Sequence, residues 1–473
     1  MTPADFAQII AAVVIASGLF QTGAQVLLFM VAWGSLIKRP EDAPETRLWR
    51  QFSPVAPSIS LLAPAYNEET TIVESIRSLL ALHYPNFEVV VINDGSSDGT
   101  LEQLIKSFEL RPTERRIGDT VHHARIRGVY TAVHQPRLIV VDKVNGGKAD
   151  ALNAGLNAAR SDLVCSMDAD SLLEPDALLH AVAPFVEDSE RVIAVGGTVR
   201  AVNGCRIAHG RVTDYRLPHH PLALMQAVEY LRAFLMARLA FARLNMLMLI
   251  SGAFGLFQRE AVMAVGGYSH GTVGEDMELV IKLHRRFGPE GKRITFAPDA
   301  VCWTEVPEDL TTLSRQRARW HRGCLEVFAR HGRIALDPRH GTLGMIGMPY
   351  ILIADVFGPL VELLGYGLLV SFWILGWLDL DWVLALYLLT FAMGTLVSMG
   401  SIALEERRLQ RFPTTTGMIR AALAAVVENF GYRQLNLIWR LHGTWQAIRR
   451  EQGWGKQRRR GFKATVEPAA RTG

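Results

Sequence analysis

Cysteine is scarce in this chain. Its 473 residues include four, Cys165, Cys205, Cys302 and Cys324, widely scattered and with no CxxC pair. That spacing excludes a cysteine-built metal cage and gives no reason for a disulfide, which suits a catalytic body in a reducing compartment. Neither sign of charge is in large excess. The net charge is +4, no zinc-finger spacing or RNP-like segment occurs, and nucleic acid is not an expected partner. No GxGxxG follows the first strand-like run and no GxxxxGK[ST] is found, which removes the standard dinucleotide fold and the P-loop.

Apolar residues are plentiful, 49% of the chain, and they gather at its two ends. Residues 6–37 carry no charge and exceed the ~20 residues that cross a bilayer. The run is too long for a cleaved leader and lacks a basic segment before it. Asp5 precedes it, while Lys38, Arg39, Arg47 and Arg50 follow. Positive residues stay inside, so residue 40 onward is expected on the cytoplasmic side of the inner (plasma) membrane. A second apolar zone, Leu343 to Leu378, is interrupted by Pro349, Asp355 and Pro359. Acids are costly inside a bilayer. Its first half therefore reads as an interfacial or pore-lining helix continuing into a span, or else as one of two short spans. Residues 382–404 form a cleaner span, followed by Glu405, Glu406, Arg407, Arg408 and Arg411. Residues 416–440 contain Arg420, Glu428, Arg433 and Arg440 and suit a helix lying on the cytoplasmic surface. The basic "KQRRRGFK" tail belongs on the same side.

Between these ends, β-rich runs alternate with helical stretches. The runs are "SISLLAP", "FEVVVIND", "RLIVVDK", "DLVCSMDAD" and "RVIAVGG". Alternation of this kind predicts an α/β fold with a mostly parallel sheet, whose ligands bind beyond the carboxyl ends of the strands. Polar residues stand at those ends: Asn67 and Glu68, Asp94, Lys143, then Asp168 and Asp170. Two carboxylates as close as Asp168 and Asp170 repel unless a positive charge lies between them, which points to a divalent metal; a helix cap is the plainer reading. "NGGKAD", 145–150, brings backbone amides and Lys148 to a helix start where a phosphate can sit. Asp94 in "NDGSSDGT" suits a turn. Glu275, Asp276 and Glu278 suit the acidic first turn of a helix. Residues 310–331, rich in arginine with Leu313, Trp320, Leu325 and Phe328 interspersed, suit an amphipathic helix on the membrane surface.

In order along the chain, "APAYNEE", "VINDGSSDGT", "GGKADALNAG", "MDADS", "GGY…GED" and "QRARW" resemble the membrane-bound family 2 glycosyltransferases. These are the processive β-glycan synthases, such as those of cellulose, hyaluronan and poly-β-1,6-N-acetylglucosamine. The resemblance covers about Pro57 to Gly323. It implies a GT-A fold with a mixed, mostly parallel sheet, a UDP-sugar donor, and Mg²⁺ or Mn²⁺ as cofactor. Asp168 and Asp170 then look like the DxD motif, a hard-cation site on carboxylate and phosphate oxygens. Tyr66, Asn67, Glu68 and Asp94 would bind the nucleoside end of the donor, and Lys148 would approach its phosphates. Asp276, beside Glu275, is at the family's catalytic base. Its pKa is expected to be raised by that neighbour and a partly dry cleft. A metal-bound diphosphate leaves without a proton, so no general acid is needed. Gln316, Arg319 and Trp320 match QxxRW, with Arg319 on the diphosphate and Trp320 stacking on the acceptor sugar.

The expected organisation is a transmembrane helix (1–40), a cytoplasmic GT-A domain (41–307), an interface helix (308–341), about two spans (342–404) and a surface-bound basic end (405–473). The resemblance implies inverting transfer from UDP-N-acetylglucosamine or UDP-glucose to a growing β-linked glycan. Transfer of one sugar to a lipid-linked acceptor is the alternative, and an inactive membrane scaffold is a third. Besides donor and acceptor, the partners are membrane lipids. With few spans, a closed channel would also require a partner subunit or a second copy. Two regions carry no expected chemistry: the 111–128 insertion, including His122 and His123, read as a solvated surface, and 223–246, read as a packing helix. "SGAFGLF", 251–257, is read as an acceptor-binding loop or as tight packing.

Overall fold

A computed structural model describes residues 3–37, 56–169, 171–208, 210–377, 379–409 and 415–451. Asp170, Lys38, Arg39, Arg47, Arg50, Arg411 and the "KQRRRGFK" tail lie outside the described residues. Twelve strands are described: β1 Ile59–Ala65, β2 Phe87–Asn93, β3 Leu110–Pro112, β4 Ile126–Ala132, β5 Leu138–Lys143, β6 Leu163–Met167, β7 Leu172–Leu173, β8 Val192–Ala201, β9 Arg206–Ala208, β10 Arg211–Asp214, β11 Phe254–Gln258 and β12 Arg293–Thr304.

Ten of them form one sheet in the order β3-β4-β5-β2-β1-β6-β11-β8-β12-β7. Its centre, β5-β2-β1-β6, is parallel. Alternate residues of each central strand enter different cores. Leu61, Val89 and Val91 pack with the helices Ile72–Leu80, Thr100–Phe108 and Ala177–Glu187 on one face. Leu62, Val90 and Ile92 pack with Lys148–Ala158 and Glu275–Phe287 on the other. A sheet covered on both faces explains why these strands read as unbroken apolar runs. It also leaves only the strand ends open for chemistry.

The 111–128 insertion is more than a solvated surface. Its two ends are β3 and β4, which pair antiparallel at the sheet edge. Between them Val121 is buried, bonded through its backbone N–H and C=O to the side chain of Asn157. The 223–246 stretch is helical from Pro221 to Arg243, with a π-helical segment at Leu231–Ala237.

Among the described residues, Gln8–Leu36 and Leu380–Glu406 are long and apolar enough to cross a membrane, with mean hydropathies of 1.7 and 1.8. The pair Leu343–Val356 and Gly358–Ile374, bent by 44°, makes a third span if counted as one. The bend falls where Pro359 starts the second helix, as a missing N–H and a fixed φ favour. Two ion pairs join the sheet body to its membrane side. Arg200 of β8 pairs with Glu405, and Arg232 pairs with Glu428, both acids being buried. The helix Tyr432–Ile448 lies against Leu310–His331 so closely that a Cβ at Gly443 would strike the Ala318 carbonyl. His321 Nε2 and Thr444 Oγ1 are 3.0 Å apart across that seam.

Candidate active site

Parallel strands deliver their ends to one rim, and the polar residues there fall into two linked groups. In the first, the turn after β1 is sewn to the turn after β2. Asn67, at φ 56°, has its N–H bonded to Ser96 Oγ (3.0 Å), and its side-chain oxygen accepts from the Ser97 N–H (2.8 Å). The Glu68 N–H donates to Thr100 Oγ1 (2.9 Å). Tyr66 is half exposed beside them.

Asp94 is buried beneath this turn pair. Its carboxylate accepts from Lys143 Nζ (2.5 Å) and from the N–H groups of Gly146 (3.0 Å) and Gly147 (2.8 Å). Lys143 is wholly buried and also pairs with Asp150 at 2.5 Å. Asp150 in turn stands 3.0 Å from His270 Nε2, whose ring meets that of His122 edge-on. Asp94 thus shapes the Gly146–Gly147 turn as well as lying at the strand end. Gly147 there takes φ 88°, a conformation side chains disfavour, and it begins the helix that carries Lys148.

Lys148 leads into the second group. Its ammonium pairs with Asp168, stands 3.9 Å from Glu275 Oε1 and donates to the Gly252 carbonyl (3.4 Å). The Gly252 N–H donates to Asp276 Oδ2 (3.1 Å), and Asp276 Oδ1 accepts from the Met277 N–H (2.8 Å). A Cβ on Gly252 would stand 2.8 Å from Lys148 Nζ and 3.5 Å from Asp276 Oδ2. Only glycine leaves this space open. The first half of "SGAFGLF" therefore lines the site, while the second half is β11 in the core. Gly252 has no charge or reactive group, and the small residues before an apolar run were the only sequence signal for it.

Burial raises the Glu275 pKa to about 7; Lys148 opposes that, Asp276 reinforces it, and Arg319 pulls it down. Burial also works against the Lys148 ammonium, but the carboxylates of Asp168, Glu275 and Asp276 outweigh it and hold its pKa above the ordinary lysine value. The raised carboxyl here is Glu275. It is the deeper of the two acids, and its Oε2 has no hydrogen-bond partner among the described residues.

The helix Leu310–His331 borders this group, started by Asp309, which caps the Thr312 N–H at 2.7 Å. Arg319 is near enough to influence Glu275. Trp320 is 42% exposed with the Arg317 guanidinium 4.5 Å over its ring. Arg317 is itself held two-pronged by Glu229, at 2.8 and 2.9 Å. That pairing of Glu229 and Arg317, remote in sequence, carried no local signal. Gln316 Oε1 is buried and has no hydrogen-bond partner among the described residues. Gly323 of the same helix meets Gly274 backbone to backbone, a Cβ on either falling 3.0–3.1 Å from the other's main chain.

Lys148, Asp168 and the adjacent pair Glu275–Asp276 are therefore brought together from three separate parts of the chain, with Arg319 near. Tyr66, Asn67 and Glu68 form their own cluster, tied to the first through Asp94 and the Gly146–Gly147 turn. Among the described residues no group of three or more His, Cys, Asp or Glu side chains is arranged around a metal. Asp168 fits a cation nonetheless: its carboxylate, about one-third exposed, already faces a positive charge, that of Lys148. Oxygen donors of this kind suit a hard divalent ion.

The family described as "Glycosyltransferase like family 2" matches residues 56–323. Among curated proteins, the poly-β-1,6-N-acetyl-D-glucosamine synthase of Staphylococcus aureus (strain COL) is 33% identical over 273 residues, 58% of this chain and 56% of that protein. Its namesake in Staphylococcus epidermidis is 31% identical over 272 residues, with the same coverage of 58% and 56%. The chain spans about half the length of the curated relatives it matches. Among solved structures, a mannosyltransferase from Pyrobaculum calidifontis, in complex with GDP-Man and Mn²⁺, aligns over 93% of this chain and 99% of that one. Its TM-score is 0.52 at 20% identity, a likeness of fold. The fold is GT-A, and with more than half of its length matched the chain belongs to glycosyltransferase family 2.

Proposed function

We propose that this protein is a membrane-bound inverting glycosyltransferase that moves N-acetylglucosamine from its UDP-linked donor to a growing β-linked polysaccharide. The observation that carries the reading is the meeting of Lys148, Asp168, Glu275 and Asp276 around Gly252, next to a helix bearing Gln316, Arg319 and Trp320. The choice of N-acetylglucosamine over glucose rests on the names of the curated relatives.

Asp276 serves as base. It takes the proton of the acceptor hydroxyl as that oxygen bonds to the anomeric carbon; the bond from that carbon to the diphosphate breaks, and its electron pair leaves with UDP. Attack opposite the leaving group converts an α-linked donor to a β-linked product. The Gly252 N–H holds the base in orientation. Lys148 and Arg319 bind the diphosphate, and a hydrogen bond to a charged group in a dry site strengthens that hold. Tyr66, Asn67, Glu68 and the Asp94-shaped turn form the nucleoside end. Asp168, with Asp170, would hold Mg²⁺ or Mn²⁺, which when bound neutralises charge growing on the departing diphosphate. Trp320 offers an aromatic face to the acceptor sugar. The catalytic body sits on the cytoplasmic side of the plasma membrane, with the chain passing through several times. Closing a glycan channel around these few spans calls for a partner subunit or a second copy.

The test is incorporation of radiolabelled sugar by protein in membranes, screened over UDP-N-acetylglucosamine and UDP-glucose with Mg²⁺ and Mn²⁺, followed by sizing of the product. A long polymer from UDP-N-acetylglucosamine supports the reading. A single sugar on lipid removes processivity, and no incorporation from any UDP-sugar removes the activity.

A further inference from the structure

We infer that Glu326 is a positioning residue for the catalytic base, acting through the Gly271–Gly274 turn; the inference rests on the transferase reading above. Glu326 lies near the end of the helix Leu310–His331, well past the QRARW stretch, and touches neither Asp276 nor Lys148 in any described contact. Its Oε2 accepts from the Thr272 hydroxyl (3.0 Å) and from the Val273 N–H (3.0 Å). Thr272 Oγ1 then accepts from the Gly274 N–H (3.2 Å). Gly274 is the residue before Glu275, where the helix bearing Asp276 begins.

The turn needs such a holder. Gly271 sits at φ 71° and Gly274 lacks a side chain, so the backbone itself supplies little stiffness. Three further contacts seat this turn and the helix after it on the same helix. Arg330 Nη2 donates to the Gly271 carbonyl (2.7 Å). Gly323 and Gly274 abut. Glu278, one turn into the following helix, stands 3.2 Å from His331 Nε2. Of these, only Glu326 bonds two consecutive residues of the turn. The result is that the base and the Arg319–Trp320 pair ride on one body. An acceptor laid on Trp320 is thereby kept in register with the carboxylate that must deprotonate it. A shift of ~1 Å at such a site is worth about 100-fold in rate. The plainer role for Glu326 is its i,i+4 ion pair with Arg322 at 3.6 Å, a contact that by itself contributes little.

Two variants separate these roles. Glu326→Gln keeps an oxygen to accept from Thr272 and Val273 but removes the charge; Glu326→Ala removes both. The proposal expects Glu326→Ala to lower kcat about 100-fold with donor KM within about 2-fold, and Glu326→Gln to keep most of the wild-type kcat. Hydrogen–deuterium exchange at the Val273 and Gly274 amides should quicken in Glu326→Ala and stay slow in Glu326→Gln. Equal losses in the two variants, a change confined to KM, or an unaltered kcat in Glu326→Ala would overturn it. Should wild-type protein transfer no sugar from any UDP donor, the transferase reading is what fails. The exchange experiment then still decides the clamp, and unprotected Val273 and Gly274 amides in wild type defeat it. Thr272→Val removes the hydroxyl bond to Glu326 and the acceptor of the Gly274 N–H but keeps the Val273 bond, so exchange should quicken at Gly274 more than at Val273 if the clamp is real.

Discussion

Lys148 and Glu275 stand 3.9 Å apart, ammonium to carboxylate, and the same ammonium pairs with Asp168. A single cation thus serves two acids, one just after β6 and one at the start of the helix Glu275–Phe287. Lys148→Met should raise the donor KM about 10- to 100-fold, since a hydrogen bond to a charged partner contributes roughly 1.5–3 kcal/mol. Titration of UDP binding by calorimetry checks it, and unchanged affinity would remove Lys148 from the donor site.

Glu275 gives a pH signature. Its pKa is raised from 4.5 to about 7, chiefly by burial. The folded protein holds that proton better than the unfolded chain does. The stability this provides is complete below the ordinary carboxylate value and is lost as pH climbs through about 7. Glu275→Gln has no such proton to lose. Melting temperatures measured from pH 5 to pH 8.5 should therefore move in favour of the Gln variant as pH rises; a gap that is flat, or that widens towards acid, contradicts the burial argument.

Asp276→Asn keeps the side-chain shape and can still accept from the Gly252 N–H, but it cannot take a proton. Its kcat should fall by roughly 10²–10⁴, with donor affinity within a few-fold of wild type. Single-turnover rates set beside UDP binding distinguish loss of a base from loss of a binding group.

Much of this arrangement is legible in the sequence, and the exceptions share a cause. β1, β2, β5, β6 and β8 announce themselves as apolar runs because both of their faces are covered, and Asn67, Asp94, Lys143 and Asp168 mark where four of them end. β3 and β4 are concealed among arginines and histidines: β3 is the edge strand, β4 lies next to it, and many side chains of both are exposed or only partly buried. Gly252 is marked only by the small residues of "SGAFGLF", because its contribution is missing volume. Asp94 reads as a turn residue or a nucleoside ligand; that its oxygens meet Lys143, Gly146 and Gly147 depends on residues some 50 positions away. Glu326 is similarly hidden, one acid among the charges of an amphipathic helix. Glu275 reads only as the neighbour of a catalytic acid; that burial raises its pKa depends on depth, which adjacency in sequence does not report.

Lys143 is the most exposing place to test the fold. With its ammonium gone, Asp94 and Asp150 become buried carboxylates short of a partner. Breaking a buried pair this way costs about 3–5 kcal/mol. Lys143→Met should lower the thermal midpoint markedly, and adding Asp150→Asn should recover part of the loss. If the single variant melts with wild type, the network is decorative.

Arg200 and Arg232 have a bearing on how this enzyme is born. Each is translated long before the acid that neutralises it, Glu405 or Glu428. As the chain leaves the ribosome, the sheet body therefore lacks both of these partners until the helix Leu380–Leu409 and the stretch after it have been made. Expressing the central body alone, severed ahead of Leu380, would hold it in that unfinished condition.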